Sequence, residues 1–559
     1  MPYTHLLVEG TNIYPNVLDT NQLSVIRGGS FLLKDAITYI ESEFKDQLEA
    51  VSTGASSGLF LVKNDEGATL QHDIVHDIVD KLRKHEKFNL LTFIVESCTA
   101  KSLKEAKKKL YAQLRFRQLQ SITVAPDIAE ESSGPSEWGG IRPRPADEKS
   151  ACITYNTPEE KTVYVTASEK ERWNYGWNKK QDYYLDEVNS LNLEKEKEEE
   201  KEKYESLKNT LHKYGFMQDL SSIAEHPNYP KLSGKIAVFY ADGNDFGKTQ
   251  RRAINNADAN EQVKKQQAFD KQIRTDRSRF LAAALGEMLP HEHSIFPDME
   301  TQTDNAQAQK KRHLRFETLL WGGDEMLFVM PAWIGFEFVQ FFFQQSKNWT
   351  LDGKPLTHSA GLVFCSAKTP IRITRNLAQM IADDIKNNTT GKKVDSWDYM
   401  VLESIDYPTH TDYGRFHEER YRDIANSRPD FIAPSDAWPD NSVELKTLID
   451  KQLPTRQLYR IARKLTQLPV EEMLTTHEHG NGWPPPATQS TSDDRKLSLL
   501  QQQELRMLQT CDDAEALEKG VEIACELFGL DHKKQQERAW LWIHLLELKD
   551  YIAPRRNES

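Results

Sequence analysis

A hairpin pattern in the second half of the chain constrains its fold more than any other feature. The runs Leu314 to Trp321 and Met326 to Met330 are apolar and strand-like, and only Gly322-Gly323-Asp324-Glu325 separates them. Two glycines between two such runs favour a tight turn. The pattern therefore predicts an antiparallel β-hairpin that carries Asp324 and Glu325 at its turn.

A second acidic element follows another predicted strand of the same region. The apolar run Ile236 to Tyr240 indicates a strand, and Asp242 to Lys248 indicates a polar loop after it. Helical patterns near 261–289, 334–345 and 371–386 and strand patterns at 359–365 and 399–403 complete a βαββαβ order, as in ferredoxin-like folds. In that fold the first strand lies beside the hairpin, so Asp242, Asp324 and Glu325 are expected to converge.

These three acidic side chains predict a catalytic metal site. Carboxylates held together at a sheet edge repel one another unless a divalent cation compensates their charge. We expect Asp242, Asp324 and Glu325 to bind Mg²⁺ or Mn²⁺ together with nucleotide phosphates, so that an α-phosphate is polarised and a 3′-hydroxyl is activated. Either motif alone is more often structural, but the two in this order favour the site.

Residues beside the two motifs are candidates for nucleotide binding. Glycine lets the backbone approach a bulky triphosphate closely. A lysine can neutralise phosphate charge, although a lysine taken alone is more often an ordinary surface residue. The candidates in this region are Gly243, Asn244, Gly322, Gly323, Lys248 and Lys386.

The N-terminal part of the chain repeats the alternation of strands and helices. Strand patterns at 6–9, 59–62 and 90–95 alternate with helical patterns at 31–44, 69–85 and 102–120. Ile26-Arg27-Gly28-Gly29-Ser30 precedes the first helix, and Ser52 to Gly58 is a turn between two strands. This block predicts a second ferredoxin-like unit.

Shifts in composition divide the chain into four parts. We expect a first domain over residues 1–124, an irregular Pro-, Gly- and Ser-rich connecting module over 125–230, a second domain over 231–410 and a helical bundle over 411–559. Glu194 to Glu205, a run of Glu and Lys in the connecting module, is typical of a solvated helix or a mobile linker. The predicted fold class is α+β.

The acidic motifs resemble those of a known family. Asp242-Gly243-Asn244-Asp245-Phe246-Gly247 with Gly322-Gly323-Asp324-Glu325-Met326 resembles the palm of GGDEF-type nucleotide cyclases. More closely, the chain resembles the large subunit of type III CRISPR effector complexes, a palm polymerase that makes cyclic oligoadenylates from ATP. Further matches are Ser359-Ala360-Gly361-Leu362-Val363, Lys368-Thr369-Pro370-Ile371, Arg27-Gly28-Gly29-Ser30 and the helical C-terminal region.

This resemblance covers nearly the whole chain, with its strongest motifs at about 235 to 404. It implies two palm domains with ATP between them, and places Ser52 and Gly54 near the base or ribose of one nucleotide. It implies that Asp242 and Asp324 hold metal and that Glu325 shares the metal or orients the 3′-hydroxyl. The implied partners are ATP, other CRISPR effector subunits, guide RNA and target RNA, whose binding would trigger synthesis.

Three departures from the family pattern change these expectations. The family usually carries Asp-Asp where this chain has Asp324-Glu325, and glutamate still ligates metal through a longer arm. Many members begin with an HD nuclease domain, whereas this chain starts at the first palm-like block, so no DNA cleavage is expected. The module between the palms commonly binds zinc through Cys pairs, but here it holds only Cys152, so no zinc is expected.

Two other interpretations stay open at this point. The first is a scaffold subunit with a degenerate, inactive palm, although the three retained carboxylates argue against it. The second is a free-standing GGDEF-like cyclase, against which the long helical C-terminal region favours assembly with other subunits.

Charge and composition exclude further classes. The net charge of −13 argues against a chain that coats nucleic acid through bulk positive charge, so any RNA contact must be local. The predicted helix over 101–117, with seven Lys or Arg and one acid, is a candidate for such a contact with RNA or an acidic subunit. No apolar run approaches the ~18 residues of a membrane span, and five scattered cysteines without CxxC spacing indicate a reducing cytoplasm.

Overall fold

The chain folds as a mixed α+β protein. The computed structural model describes residues 3–11, 13, 17–54, 56–63, 68–120, 134–140, 142–145, 147, 151–154, 162–191, 198–288, 300–302, 311–351, 353–387, 393–403, 415, 419–421, 424, 428–429, 431–474, 483–485 and 497–555. Within these residues the larger sheets lie in the N-terminal and central parts, and helices make up the C-terminal part.

The N-terminal sheet has the strand order expected from a βαββαβ unit. Its strands pair in the order β2-β3-β1-β4, with β1 antiparallel to both of its neighbours and Glu9 of β1 opposite Ser57 of β3. The elements of this part are β1 (Tyr3–Thr11), α1 (Leu23–Glu43), β2 (Leu48–Thr53), β3 (Ser57–Val62), α2 (Ala68–Lys84), β4 (Thr92–Ala100) and α3 (Leu103–Gln120).

Helix α1 begins earlier than the sequence predicted, so Ile26 to Ser30 are helical. The two glycines of this segment suggested a break before the helix. Instead, Gly28 lies where α1 crosses another helix so closely that a Cβ on Gly28 would come 1.8 Å from the backbone oxygen of Arg172. Gly28 therefore allows two helices to pack closely and does not form a turn.

The connecting segment is not the irregular module that the sequence predicted. It contains a 23-residue helix α4 (Ala167–Asn189), together with β5 (Cys152–Thr154), β6 (Thr162–Tyr164), α5 (Glu198–Leu211), β7 (Gly215–Phe216) and α6 (Leu220–Ala224). The start of α4 is a capping box, in which Thr166 and Glu169 bond each other's backbone N–H groups. The charge run predicted as a solvated helix or linker falls partly within α5.

Charged residues on the buried face of α4 explain why its pattern was missed. Glu169, Arg172, Lys180 and Glu187 are all buried, each with a partner of opposite charge or a cap. Sequence analysis recognises an amphipathic helix by its apolar stripe. Here paired charged residues occupy the inner face of α4, so the sequence shows no clear apolar stripe.

The central sheet has the order β11-β12-β8-β15-β16, with β8 antiparallel to β12 and β15 and with β16 parallel to β15. Phe239 and Phe328 pack on one face, while Val238 and Val329 belong to the core on the other. Its strands are β8 (Lys235–Gly243), β11 (Glu317–Gly322), β12 (Glu325–Pro331), β15 (His358–Ser366) and β16 (Ser396–Val401).

The helices of this part are α7 (Phe246–Asn255), α8 (Gln262–Met288), α9 (Ala332–Ser346) and α10 (Ile371–Asn387), of which α9 and α10 pack directly against the sheet. The polar loop predicted over Asp242 to Lys248 is shorter, because β8 continues to Gly243 and α7 begins at Phe246. Short strands β9 (Glu300–Gln302), β10 (Lys311–Leu314), β13 (Thr350–Leu351) and β14 (Lys354–Pro355) lie beside the sheet.

The C-terminal part is helical, as predicted. Its helices are α11 (Trp438–Thr447), a π-helical turn (Leu448–Gln452), α12 (Thr455–Gln467), α13 (Val470–Met473), α14 (Leu499–Thr510), α15 (Ala514–Leu527) and α16 (Gln535–Ile552). Helix α16 is central, since Trp540, Leu541 and Trp542 are all fully buried. No helix in the described ranges combines the length and the apolar composition needed to cross a bilayer.

Candidate functional site

The register of the central sheet brings the two acidic motifs together. Asp242 at the end of β8 lies directly opposite Glu325 at the start of β12. The backbone N–H of Gly243 donates to the carbonyl oxygen of Asp324 over 3.3 Å. Gly323 adopts the left-handed φ of +58° that the tight turn requires. The three carboxylates therefore adjoin one another, although they come from different strands and a turn.

Gly243 is required for this close approach. A Cβ added to it would lie 2.9 Å from the Cβ of Asp324, which is closer than carbon atoms approach in proteins. Gly243 was predicted to allow close approach of a triphosphate. In the structure its missing side chain leaves room for the side chain of Asp324. Its contact with a nucleotide stays a prediction.

Burial and mutual repulsion make the carboxylates hard to ionise. The pKa of Asp324 is raised to about 7, first by burial and then by the charge of Asp242. The pKa of Glu325 is raised by the same two causes. Asp383 on α10 also has a raised pKa, through burial and the proximity of Asp242. The site therefore holds more negative charge than its surroundings compensate.

Helix α10 supplies the basic groups nearest to the carboxylates. The Lys386 ammonium donates to Oδ2 of Asp242 in a short ion pair. The positive charge of Arg375 acts on Glu325 and lowers its pKa in part. Lys386, predicted to contact triphosphate, is thus placed at the acidic cluster, where it can reach either a carboxylate or a phosphate.

A divalent cation fits the chemistry of this donor set. Carboxylate oxygens are the preferred ligands of Mg²⁺ and Mn²⁺, and the raised pKa values of Asp324 and Glu325 show a need for positive charge. Among the described residues, no three His, Cys, Asp or Glu side chains are arranged around a common cation position. The Lys386 ammonium compensates the charge of Asp242.

Two other predicted nucleotide-binding residues bond within the protein. The buried amide of Asn244 accepts from Ser359 Oγ over 2.8 Å and donates to Thr357 Oγ1 over 3.1 Å, which joins the end of β8 to β15. Lys248 is exposed and pairs with Asp245 Oδ1 over 2.8 Å. Asp245, with φ of +51°, is the N-cap residue of α7.

The N-terminal turn meets the central domain through helix α8. Ser52 Oγ donates to Oδ1 of Asp270 over 2.9 Å, and Arg274 donates to Thr53 Oγ1 over 2.8 Å. The Gly54 N–H closes the turn on the carbonyl of Ser57 over 2.7 Å. Ser52 and Gly54 therefore lie at the junction of the two sheet-containing parts, and their contact with a nucleotide stays a prediction.

Arg277 of α8 contacts the acidic turn and is not among the site residues that the sequence predicted. Its Nη1 donates to the carbonyl oxygen of Gly323 over 3.2 Å, and its guanidinium lies 5.1 Å from the centre of the Trp321 ring. Asp270, Arg274 and Arg277 follow one another at helical spacing on one face of α8. That charged face was the available signal in the sequence.

A small apolar cavity adjoins the hairpin. It has a volume of about 90 Å³ and lies between α1 and β11. Phe31 and Leu33 form one wall, and Leu320 and Trp321 form the other, with Arg375 at its edge. Its volume suits part of a planar ring, and one of its lining residues, Trp321, directly precedes the acidic turn.

The basic helix α3, predicted as a local RNA contact, is partly an internal surface. Lys107 is partly buried, donates to Gln266 Oε1 of α8 over 2.6 Å, and has a pKa lowered by burial to about 8. The Lys104 N–H donates to the side chain of Gln262, also on α8. Part of the basic face of α3 therefore joins the N-terminal part to α8.

Comparisons with known proteins give similar chains among solved structures alone. No family model matches the sequence, and no curated protein matches it. Among solved structures, the chain is similar to a Csm1–Csm4 cassette in complex with cA4 (TM-score 0.40, 12% identity, covering 98% of this chain and 70% of that chain). It is also similar to the cassette with pppApA (0.39, 12%, 83% and 62%) and to Csm1 of T. onnurineus (0.37, 14%, 82% and 61%).

Two of these three structures hold pppApA or cA4 beside Csm1 and Csm4. The chain spans only about 61 to 70% of the length of these three solved chains.

Proposed function

We propose that the chain is the large subunit of a type III CRISPR RNA-guided effector complex and that it synthesises cyclic oligoadenylate from ATP. The observation that carries this proposal is the register of β8 and β12, which sets Asp242 opposite Glu325 and beside Asp324. The two βαββαβ parts would be the two palms. The Csm1–Csm4 cassettes were solved with ATP, pppApA and cA4, which are the ligand class that the proposal assigns to this chain.

ATP would bind between the two parts, where the Ser52 turn, the apolar cavity and the acidic turn approach one another. The cavity beside Trp321 suits the edge of an adenine ring, and Lys386 and Lys248 suit phosphate oxygens. A bound divalent cation, held by Asp242, Asp324 and Glu325, would supply Lewis-acid polarisation of the phosphate.

The proposed reaction forms one bond, breaks another and releases a proton. The 3′-hydroxyl oxygen of one nucleotide forms a bond to the α-phosphorus of another, and the bond to pyrophosphate breaks. The hydroxyl proton must then leave to solvent, because Asp324 would be ionised as a ligand of the cation and would not act as a free base. Glu325 would orient the hydroxyl.

The test is product formation by the purified assembly from ATP with Mg²⁺ or Mn²⁺, analysed by mass spectrometry with and without target RNA. Asp324→Ala should reduce the rate by about 10² to 10³ or more, since it removes electrostatic help at the reacting phosphate. Asp436→Ala, which removes an exposed acid paired with Lys347, serves as the matched control. Unchanged turnover in Asp324→Ala would refute the catalytic assignment.

The scaffold alternative is favoured by one observation, the ion pair between Lys386 and Asp242. An ammonium that permanently compensates Asp242 would leave the site without a cation. Mn²⁺ titration of the wild type and of Lys386→Met distinguishes the two possibilities: a cyclase should bind Mn²⁺ with Lys386 in place, whereas a scaffold should bind it only after Lys386 is replaced. If the isolated chain makes product at full rate without RNA, the free-standing cyclase becomes the better interpretation.

We expect the chain to bind no zinc and to cut no DNA. Elemental analysis of the purified protein should find less than stoichiometric zinc. Incubation with single-stranded DNA and Mn²⁺ should leave the DNA intact, and either contrary result would revise the proposal.

A further inference from the structure

Helix α12 in the C-terminal part has an unusual charge distribution. Between Thr455 and Gln467 it carries four basic residues and no acidic one, in a chain of net charge −13. Leu458, Ile461 and Leu465 are buried in the helical core. The basic side chains therefore occupy the opposite, outward side of the helix, where Arg456, Arg460 and Arg463 are exposed.

Neighbouring helices extend this positive surface. Helix α14 packs against α12 and carries Arg506, whose charge lowers the pKa of Lys464 together with burial, the largest cause, and the charge of Arg460. Lys549 of α16 lies over the ring of Tyr459, 4.9 Å from its centre. We call this set the α12 basic surface; it consists of Arg456, Tyr459, Arg460, Arg463, Lys464, Arg506 and Lys549.

Acidic residues do not neutralise the arginines of this surface within the described ranges. Arg463 Nε donates to the neutral side chain of Gln467 over 3.2 Å, and no ion pair of Arg456, Arg460 or Arg506 is found there. Helix α5 shows the ordinary alternative, since Lys201 and Lys208 each pair with a glutamate three residues earlier. The α12 basic surface is therefore more than a solvated helix face.

Tyr459 adds a second, chemically different feature. Its side chain is 57% exposed and lies among the cations. An exposed ring surrounded by basic groups is the arrangement with which proteins stack a base while they neutralise the adjoining phosphates. An acidic protein partner would need the charges but would have no use for the ring.

We propose that the α12 basic surface binds single-stranded nucleic acid, with phosphates on the arginines and a base stacked on Tyr459. This inference does not depend on the proposed cyclase activity, because the surface lies in the helical part and the acidic site lies in the central sheet. It also moves the expected nucleic-acid contact away from α3, where Lys107 bonds to Gln266.

The test uses the full-length chain and fluorescence anisotropy of labelled 20-nucleotide RNA and DNA single strands of one sequence, with an RNA duplex for comparison. The triple variant Arg456→Glu, Arg460→Glu, Arg463→Glu should weaken single-strand binding on the order of 100-fold at 0.1 M salt. Each phosphate contact contributes about 0.7 to the salt slope, so the slope should fall by about two. Similar affinity for RNA and DNA indicates recognition of phosphate and ring, and an RNA preference indicates added 2′-hydroxyl contacts; both support the proposal.

A charge-matched control separates local binding from net charge. Lys203→Glu, Lys213→Glu, Lys368→Glu changes the net charge equally at exposed positions elsewhere and should retain binding. Thermal melting of both variants checks that they are folded. If the triple α12 variant binds like the wild type, or if only Lys104→Glu with Lys108→Glu on α3 abolishes binding, the proposal is wrong.

Tyr459 distinguishes nucleic acid from an acidic protein. Tyr459→Ala should weaken single-strand binding roughly 5- to 100-fold, and Tyr459→Phe should retain it, because stacking needs only the ring. A Tyr459→Ala variant with unchanged affinity, combined with equal displacement of RNA by polyglutamate, would instead identify a surface for acidic protein and overturn the proposal.

Discussion

At the scale of single residues, the acidic site is held in a costly state. Asp324 and Glu325 are drawn against Asp242 by strand pairing, and their pKa values rise because burial and like charge oppose ionisation. Such repulsion persists only where the rest of the fold maintains it. The consequence is a need for positive charge at the site, which the ammonium of Lys386 meets at Asp242.

The raised pKa of Asp324 predicts a defined dependence of stability on pH. Below about pH 4 the carboxyl group is protonated in both the folded and the unfolded chain. Between about pH 4 and 7 only the unfolded chain ionises it, so this group lowers the free energy of unfolding as the pH rises. Relative to Asp324→Asn, the wild type should lose roughly 2–4 kcal/mol across this window. Urea titrations at several pH values measure the difference, and a difference independent of pH would contradict it.

Gly243 allows a prediction with a nearby control. Gly243→Ala places a methyl group 2.9 Å from the Cβ of Asp324 and should displace the acidic turn. The variant should lose most of the thermal stabilisation that Mn²⁺ gives the wild type. Gly247→Ala, whose new Cβ would meet no atom within 4 Å, should keep that stabilisation. Equal Mn²⁺ responses in the two variants would show that the turn does not depend on this contact.

At the scale of elements, helix α8 links the acidic turn to the N-terminal part. Arg277 bonds to Gly323, and Asp270 and Arg274 bond to the turn between β2 and β3. One rigid helix thus contacts both turns between which ATP is proposed to lie.

Arg277 should therefore be a positioning residue. Arg277→Gln should accelerate amide hydrogen exchange in residues 322–325, because the carbonyl of Gly323 loses its donor. It should also lower kcat about tenfold with little change in KM, since a misplaced acidic turn harms the transition state more than ATP binding. Arg274→Gln is the reciprocal control, and it should accelerate exchange only in the turn between β2 and β3. A reversed or uniform pattern of exchange would refute the assignment.

The elements also show which parts of the structure could be predicted from the sequence. The hairpin was predictable because an apolar run flanks each side of Gly322-Gly323, and the C-terminal helices because their apolar positions recur at helical spacing. Helix α4 was not predictable, because its inner face carries Arg172 and Lys180, whose partners Asp19 and Glu317 are distant in sequence. The convergence of Asp242, Asp324 and Glu325 was predictable from strand order alone, whereas the ion pair to Lys386 required the placement of α10.

At the scale of the whole molecule, helix α4 fastens the N-terminal part to the central part. It crosses α1 at Gly28 and Gly176, where a Cβ on Gly176 would lie 2.0 Å from the backbone oxygen of Ser24. Beside this crossing, Arg27 of α1 and Lys180 of α4 both bond to the buried Glu317 of β11. The two sheets are thereby held by one buried charge cluster.

Gly176→Ala should loosen this junction. The clash involves backbone on both helices, so we expect a loss at or above the 1–3 kcal/mol typical of overpacking. Gly286→Ala in α8, where a Cβ would have open space, should be neutral or stabilising by up to about 1 kcal/mol. Scanning calorimetry and limited proteolysis near α4 measure both effects. A Gly176→Ala protein as stable as the wild type would show that the helices can separate at little cost.

The shared strand order of the two sheets has a consequence for the direction of the reaction. Glu9 and Ser57 face each other across β1 and β3, where Asp242 and Glu325 face each other across β8 and β12. The two sheets thus share a strand order, but only the central one carries Asp242, Asp324 and Glu325 together. If ATP binds between them as proposed, two identical nucleotides would contact different protein surfaces. The protein, and not the order of binding, would then decide which nucleotide attacks and which is attacked. The asymmetry between the two sheets would give oligonucleotide growth a polarity.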